Sequence, residues 1–164
     1  MSKTPEQVIR DEWDVLKKSG LLSQISCSAG PKKNKGIYDM FEWNALMAAP
    51  KKCPYSGYMF KFEIKFPKNY PERPPEVFCK TNNIYHMNID TDGRVCVASI
   101  TSQSRWKEFQ NISTVLKSIF IIFAKPNPDS PYRGEIAELY NSNRPEYEKN
   151  VKENCAQNAI KIPE

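Results

Sequence analysis

Tyr58-Met59-Phe60-Lys61-Phe62-Glu63-Ile64-Lys65-Phe66 alternates without a break, with Tyr58, Phe60, Phe62, Ile64 and Phe66 on one side and Lys61, Glu63 and Lys65 on the other. A period of two with aromatic and β-branched residues on the apolar side predicts a half-buried strand. Shorter runs of the same character lie around Gln24 to Ala29, Asp39 to Met47 and Glu76 to Cys79, separated by turns containing Gly and Pro. The expectation is a four-stranded antiparallel meander. Upstream, Thr4 followed by Pro5 and by Gln7 reads as a capping box, and Ile9, Trp13 and Leu16 then recur at helical spacing until Ser19-Gly20. Downstream, residues 111–124 place Ile112, Val115, Leu116, Ile119 and Phe123 on one helical face and are stopped by Pro126 and Pro128. A terminal helical region from Arg133 to about Asn158 completes an α+β fold.

At 164 residues, 40% hydrophobic and 26% charged, the chain is expected to form one domain spanning residues 1–164. No window approaches the ~20 apolar residues of a membrane span, and Met1-Ser2-Lys3-Thr4-Pro5-Glu6 lacks the apolar stretch of a signal peptide, so a cytoplasmic or nuclear protein is expected. The net charge is +5, but the basic residues are scattered. Lys32-Lys33-Asn34-Lys35, the one dense cluster, reads as a solvated loop and not as a nucleic-acid site.

Cysteines stand at 27, 53, 79, 96 and 155; their number is odd and none forms a Cys-x-x-Cys pair, which suggests neither a zinc site nor a disulfide framework. Acyl transfer by cysteine needs thiolate character, access and a place for the developing oxyanion. Cys96 is the candidate, because it leaves an Asp92-Gly93 turn near the surface, whereas Cys27 and Cys79 lie in strand-like runs, Cys53 in a loop and Cys155 on the terminal helix. A Cys-His hydrolase with His86 as the base toward Cys96 is the rival enzymatic reading; a lone histidine more often satisfies backbone groups than it acts as a base.

Four blocks in order, Tyr70-Pro71-Glu72-Arg73-Pro74-Pro75, the segment 84–100 around His86, Asn88 and Cys96, Trp106, and Pro126-Asn127-Pro128, resemble the catalytic core of ubiquitin-conjugating enzymes. Trp43, Pro54-Tyr55-Ser56-Gly57 and Phe66-Pro67 fall in family positions too, so the resemblance runs over about residues 4–158. In that family a His-Pro-Asn tripeptide precedes the catalytic cysteine by the interval found here. The resemblance implies that His86 is a structural histidine, Asn88 supports the oxyanion and Cys96 is the nucleophile. Such an enzyme takes the carboxyl end of ubiquitin, or of a ubiquitin-like modifier, as a thioester from an activating enzyme and passes it to a lysine or a ligase cysteine. It needs no metal or organic cofactor; ATP is used by the activating enzyme, in keeping with the absence of a Gly-rich phosphate loop from this sequence. The partners implied are the modifier, the activating enzyme, a ubiquitin ligase and substrate proteins, with the chain itself a monomer that binds neither nucleic acid nor membrane.

Several positions depart from the family pattern. Met87 replaces the tripeptide proline, and the expectation is that surrounding contacts keep the loop on the same path. Ala98 stands where many members have an aspartate that receives the incoming lysine, and Ser130 occupies the gate ahead of Pro131, with Asp129 beside it as a possible substitute. Glu72 and the run Lys107-Glu108-Phe109 differ from the usual ligase-contacting residues, so partner choice is expected to differ. Cys27-Ser28-Ala29-Gly30-Pro31 resembles ubiquitin-specific members, making Ser28 a partner-binding candidate, while Asn143 to Lys149 and the interval from Cys96 to Trp106 resemble the SUMO-conjugating enzyme. A SUMO- or NEDD8-type enzyme, or a catalytically weak scaffold of the same fold, are the alternatives to ubiquitin conjugation.

Overall fold

Thr4 caps the first helix from both directions: its hydroxyl accepts from the Gln7 N–H and the Gln7 side chain accepts from the Thr4 N–H. In the computed structural model, which describes residues 2–96, 106–107 and 110–163, this helix is α1 (Pro5–Ser19), with Ile9 and Leu16 buried. A one-turn helix α2 (Leu21–Gln24) follows, and strand β1 (Cys27–Asn34) starts three residues later than the expected Gln24. The difference has a local cause, since Gly20 ends α1 and the chain coils once more to bury Leu21 before extending.

Strand β1 also runs further than expected, through Lys32, Lys33 and Asn34. Lys32, Lys33 and Asn34 of the charged cluster therefore form a strand end, and Lys35 alone lies in the connecting turn. Strand β2 (Ile37–Ala48) is long enough to pair with that strand end, matching Asn34 to Ile37 and Lys32 to Asp39 after a register shift at Pro31. Lys35 and Gly36 connect the two with φ of 52° and 83°, the left-handed pair that a tight two-residue hairpin requires. Lys32 Nζ lies 3.0 Å from Glu63 Oε2, and that hydrogen bond is the main reason the Glu63 carboxyl titrates below its usual range.

The alternating segment forms β3 (Tyr58–Lys65) and the next run forms β4 (Glu76–Cys79), each antiparallel to its predecessor in the order β1-β2-β3-β4. Phe60, Phe62, Ile64 and Phe66 are buried, as the alternation predicts. Against this face lies α3 (Ile112–Ala124), which buries Ile112, Val115, Leu116, Ile119 and Phe123. Phe123 stacks on Phe60 at 4.8 Å and meets Phe62 edge-on at 6.1 Å. Asn111 caps α3 through its side-chain oxygen, which accepts from the Thr114 N–H.

The terminal region divides at Asn143 into α4 (Gly134–Ser142) and α5 (Arg144–Asn158), because Asn143 caps the second helix and Pro145 sits in its first turn. A two-residue strand β5 (Ile160–Lys161) then pairs with Tyr58 and Met59 of β3. This adds a fifth strand to the expected meander in an α+β architecture.

Candidate active site

Between β4 and Trp106 the described chain has little regular structure, and its path is set by hydrogen bonds to neighbours already in place. Val95 N–H donates to Val77 O (2.9 Å) and Cys79 N–H to Gly93 O (2.6 Å), which lays residues 93–95 along β4. Asp90 closes the turn by accepting from the N–H groups of Asp92 and Arg94 on Oδ1. At Gly93 φ is 93°, and a Cβ there would sit 2.4 Å from the Cys79 carbonyl oxygen. No other residue fits so close to that backbone.

Cys96 follows and is anchored by its N–H to Asn88 O at 2.7 Å, with its side chain partly exposed. Asn88 is 1% exposed. Its amide nitrogen donates to Asn127 O (2.9 Å) and Ser130 O (3.4 Å), while its Oδ1 accepts from the Asn127 N–H (2.8 Å). The same side chain thus holds the cysteine loop and the 127–130 loop together. Met87, fully buried, adds a second bolt, because its carbonyl accepts from the N–H groups of Tyr132 (2.9 Å) and Arg133 (3.1 Å). These contacts define the path of the loop without a proline at position 87.

His86 is fully buried between Tyr55, stacked at 5.4 Å, and Phe123, edge-on at 5.4 Å. Nε2 lies 2.9 Å from Ile122 O and must donate to that carbonyl, while Nδ1 accepts the Asn88 N–H at 3.0 Å. Both ring nitrogens are committed to backbone. Burial pushes the imidazole down to about 4, with the nearby Arg133 charge lowering it further against the opposing Ile122 hydrogen bond. A neutral ring with both nitrogens bound has nothing to offer Cys96 as a base, which removes the geometry that a Cys-His hydrolase needs.

The remaining candidates fall into three places. Asp129 and Ser130 are exposed on the loop that Asn88 anchors, with the Asp129 N–H held by Asn127 Oδ1 (3.0 Å). Glu72 is exposed on a separate loop that meets Trp106, whose Nε1 donates to Pro71 O at 2.6 Å, so Glu72 and Lys107 are brought to one side of the molecule. Ser28 belongs to a different surface, a groove of about 660 Å³ across β1, β2 and β3 whose lining includes none of the residues around Cys96. Ala98, Glu108 and Phe109 lie outside the described residues.

Two residues at the site carried no signal in the sequence. Tyr132, 44% exposed, has its hydroxyl beside the Cys96 thiol. Arg133 donates from Nη1 to Ile84 O (2.9 Å) and lies over the Tyr85 ring. Both reach the site through the Met87 carbonyl, 45 and 46 positions away in sequence, a contact that no local motif announces.

Among the described residues no group of three or more His, Cys, Asp or Glu is gathered to hold a metal ion, and no helix is long and apolar enough to cross a membrane. The arrangement is that of a partly exposed thiol on a loop braced by a buried histidine and a buried asparagine. A family model described as ubiquitin-conjugating enzyme matches residues 13–155, a span that runs from α1 to α5 and contains every element of this site. The fold, the site and the match agree: the chain belongs to the ubiquitin-conjugating enzyme family.

Proposed function

We propose that Cys96 accepts the carboxyl terminus of ubiquitin as a thioester and transfers it to a substrate lysine or a ligase cysteine. The observation that carries this reading is the placement of Cys96, partly exposed just after the turn at Gly93 and held through its N–H by Asn88 O. Burial pushes Cys27 and Cys155 up to about 12 and Cys79 up to about 11, and it raises Cys53 as well. Those four stay protonated, and Cys79 and Cys155 are shielded from solvent as well. Of the three partly exposed thiols, Cys27, Cys53 and Cys96, Cys96 is the one that follows the braced turn at Gly93 and has its backbone held by Asn88.

In this reading His86 is structural, and Asn88, which stands where the family resemblance puts oxyanion support, holds the cysteine loop against the 127–130 loop. Ser130, or Asp129 beside it, forms the gate for the acceptor. Glu72 and Lys107, with Glu108 and Phe109, meet the ligase, and Ser28 meets a further partner. The chain uses no metal or organic cofactor of its own, works as a monomer, and acts in the cytoplasm or nucleus.

The test is a charging reaction with activating enzyme, ATP and, separately, ubiquitin, SUMO and NEDD8, resolved on a gel without reductant. The parent is expected to give a reductant-sensitive band with ubiquitin, and Cys96→Ser a reductant-resistant, alkali-labile one, because a hydroxyl forms the more stable ester. Charging of Cys96→Ala at the parent's level would show that another residue carries the modifier. A band with SUMO or NEDD8 alone would reassign the modifier, and none with any of the three would leave the scaffold reading.

A further inference from the structure

Oxyanion stabilisation needs a hydrogen-bond donor beside the reacting carbonyl that is free at the moment charge develops. Asn88 is poorly placed for that in the resting site, because its amide donates to Asn127 O and Ser130 O and its oxygen is taken by the Asn127 N–H. Moving one N–H onto a thioester oxygen would leave a loop carbonyl unpaired in a nearly closed environment, a cost of about 1–3 kcal/mol. The Asn88 side chain is better described as the strut between two loops.

Tyr132 has what Asn88 lacks. Its backbone is pinned by donation from its N–H to Met87 O at 2.9 Å, and Cys96 is pinned by its own N–H to Asn88 O at 2.7 Å, so adjacent carbonyls of one loop fix both residues. Its side chain faces the Cys96 thiol, with Arg94 and Asp90 as the other charged neighbours. Burial raises its titration point, the neighbouring Cys96 adds to this and Arg94 opposes it. The phenol therefore keeps its proton across the physiological range and is a donor, not a base.

We propose that the Tyr132 hydroxyl is a catalytic hydrogen-bond donor to the carbonyl oxygen of the Cys96 thioester, an inference that rests on the thioester reading above. In the transfer step the lone pair of a lysine nitrogen, or of a ligase thiolate, attacks the carbonyl carbon. The new N–C or S–C bond forms as the π pair moves to oxygen, where Tyr132 receives the charge. Collapse restores the carbonyl, breaks the bond to Cys96 and releases it as thiolate, and the extra proton on a lysine nitrogen passes to water. A neutral donor of this kind favours every nucleophile alike, because it acts on the oxyanion and not on the incoming atom.

The test starts from enzyme charged to completion with ubiquitin and separated from activating enzyme, for the parent, Tyr132→Phe and Asn88→Ala. Single-turnover discharge is followed against free lysine and against free cysteine over a range of acceptor concentrations. Tyr132→Phe removes one oxygen from a half-exposed ring and is expected to lower the limiting rate by about tenfold with both acceptors, leaving the acceptor concentration for half-maximal rate unchanged. Discharge of Tyr132→Phe at the parent's rate would overturn the proposal, as would a loss confined to lysine or a loss that appears only in the half-maximal concentration. Failure of the parent to charge is a different result and removes the thioester reading itself. Asn88→Ala serves as the comparison: a loss there that comes with a lowered unfolding midpoint marks a strut, and a loss larger than that of Tyr132→Phe in an unchanged fold returns the oxyanion to Asn88.

Discussion

His86 links the stability of the protein to the loop that carries Cys96. It is the chain's only histidine, so any imidazole titration belongs to it. Its value falls from an ordinary 6.5 to about 4 in the folded protein. A depressed value means that the folded state holds fewer protons, so its contribution is present above pH 6.5 and is lost as pH falls from 6.5 toward 4. A shift of that size corresponds to about 3 kcal/mol. Urea unfolding of the parent at pH 7, 5.5 and 4.5 is expected to show most of that loss, whereas His86→Gln, less stable at pH 7 by about 1–3 kcal/mol, should lack the histidine part of the slope. Parallel profiles for the two proteins would refute the assignment, and the imidazole NMR signal should stay in its neutral form down to pH 5. At this scale the sequence was informative about identities. His86, Asn88 and Cys96 do come together, and a structural reading of His86 agrees with its two backbone contacts. What could not be read was Tyr132, because Cys96 is 36 positions away in sequence and the backbone contact that places Tyr132 is to the Met87 carbonyl, 45 positions away.

Among the elements, the turn before Cys96 depends most on a single residue. Gly93 combines a positive φ with a Cβ position 2.4 Å from backbone, and its carbonyl accepts the Cys79 N–H. Gly36 also has a positive φ, 83°, but its Cβ would enter open space. The pair separates backbone strain from collision. Gly36→Ala is expected to cost about 1–2 kcal/mol, and Gly93→Ala about 2–4 kcal/mol because the turn must also move away from β4. Only the second should slow charging of Cys96; equal midpoints in denaturant and equal charging for the two variants would show that the turn yields easily. Periodicity and caps made α1, β3 and α3 legible, since each element's own residues specify both its type and its buried face. The failures have a common cause in pairing. Lys32, Lys33 and Asn34 look like a loop by composition, yet β2 offers them a partner and Glu63 an ion pair. Short α2 leaves too few residues for a period, and β5 exists only because β3 presents Tyr58 and Met59 to it.

At the scale of the whole molecule, parts far apart in sequence converge on one frame. Glu12 of α1 shows the convergence: its Oε1 accepts from the Tyr70 hydroxyl at 2.6 Å and from the Ile112 N–H at the start of α3 at 2.9 Å, tying helix, loop and helix together. In the reading proposed above, the positions expected to assist the acceptor are alanine at 98 and serine at 130 in the sequence, and Asp90 spends Oδ1 on its own turn. Lysine, with a pKa near 10.4, is mostly protonated at pH 7, whereas a ligase thiol near 8.5 ionises sooner. Discharge to free lysine is therefore expected to be slow at pH 7 and to rise about tenfold per pH unit toward pH 9, while discharge to free cysteine is faster and levels off earlier. Ser130→Asp should raise the lysine rate at pH 7 by orienting the amine and easing its deprotonation, leaving the cysteine rate close to that of the parent. Asp129 is the group that could make this wrong, since it is exposed one residue away on the loop that Asn88 anchors. Single-turnover discharge of the parent, Ser130→Asp and Asp129→Ala decides between them. If the parent already discharges rapidly to lysine and Asp129→Ala abolishes this, the carboxylate at 129 is the gate; if Asp129→Ala matches a slow parent, the site lacks one, and transfer through a ligase cysteine is the route its chemistry favours.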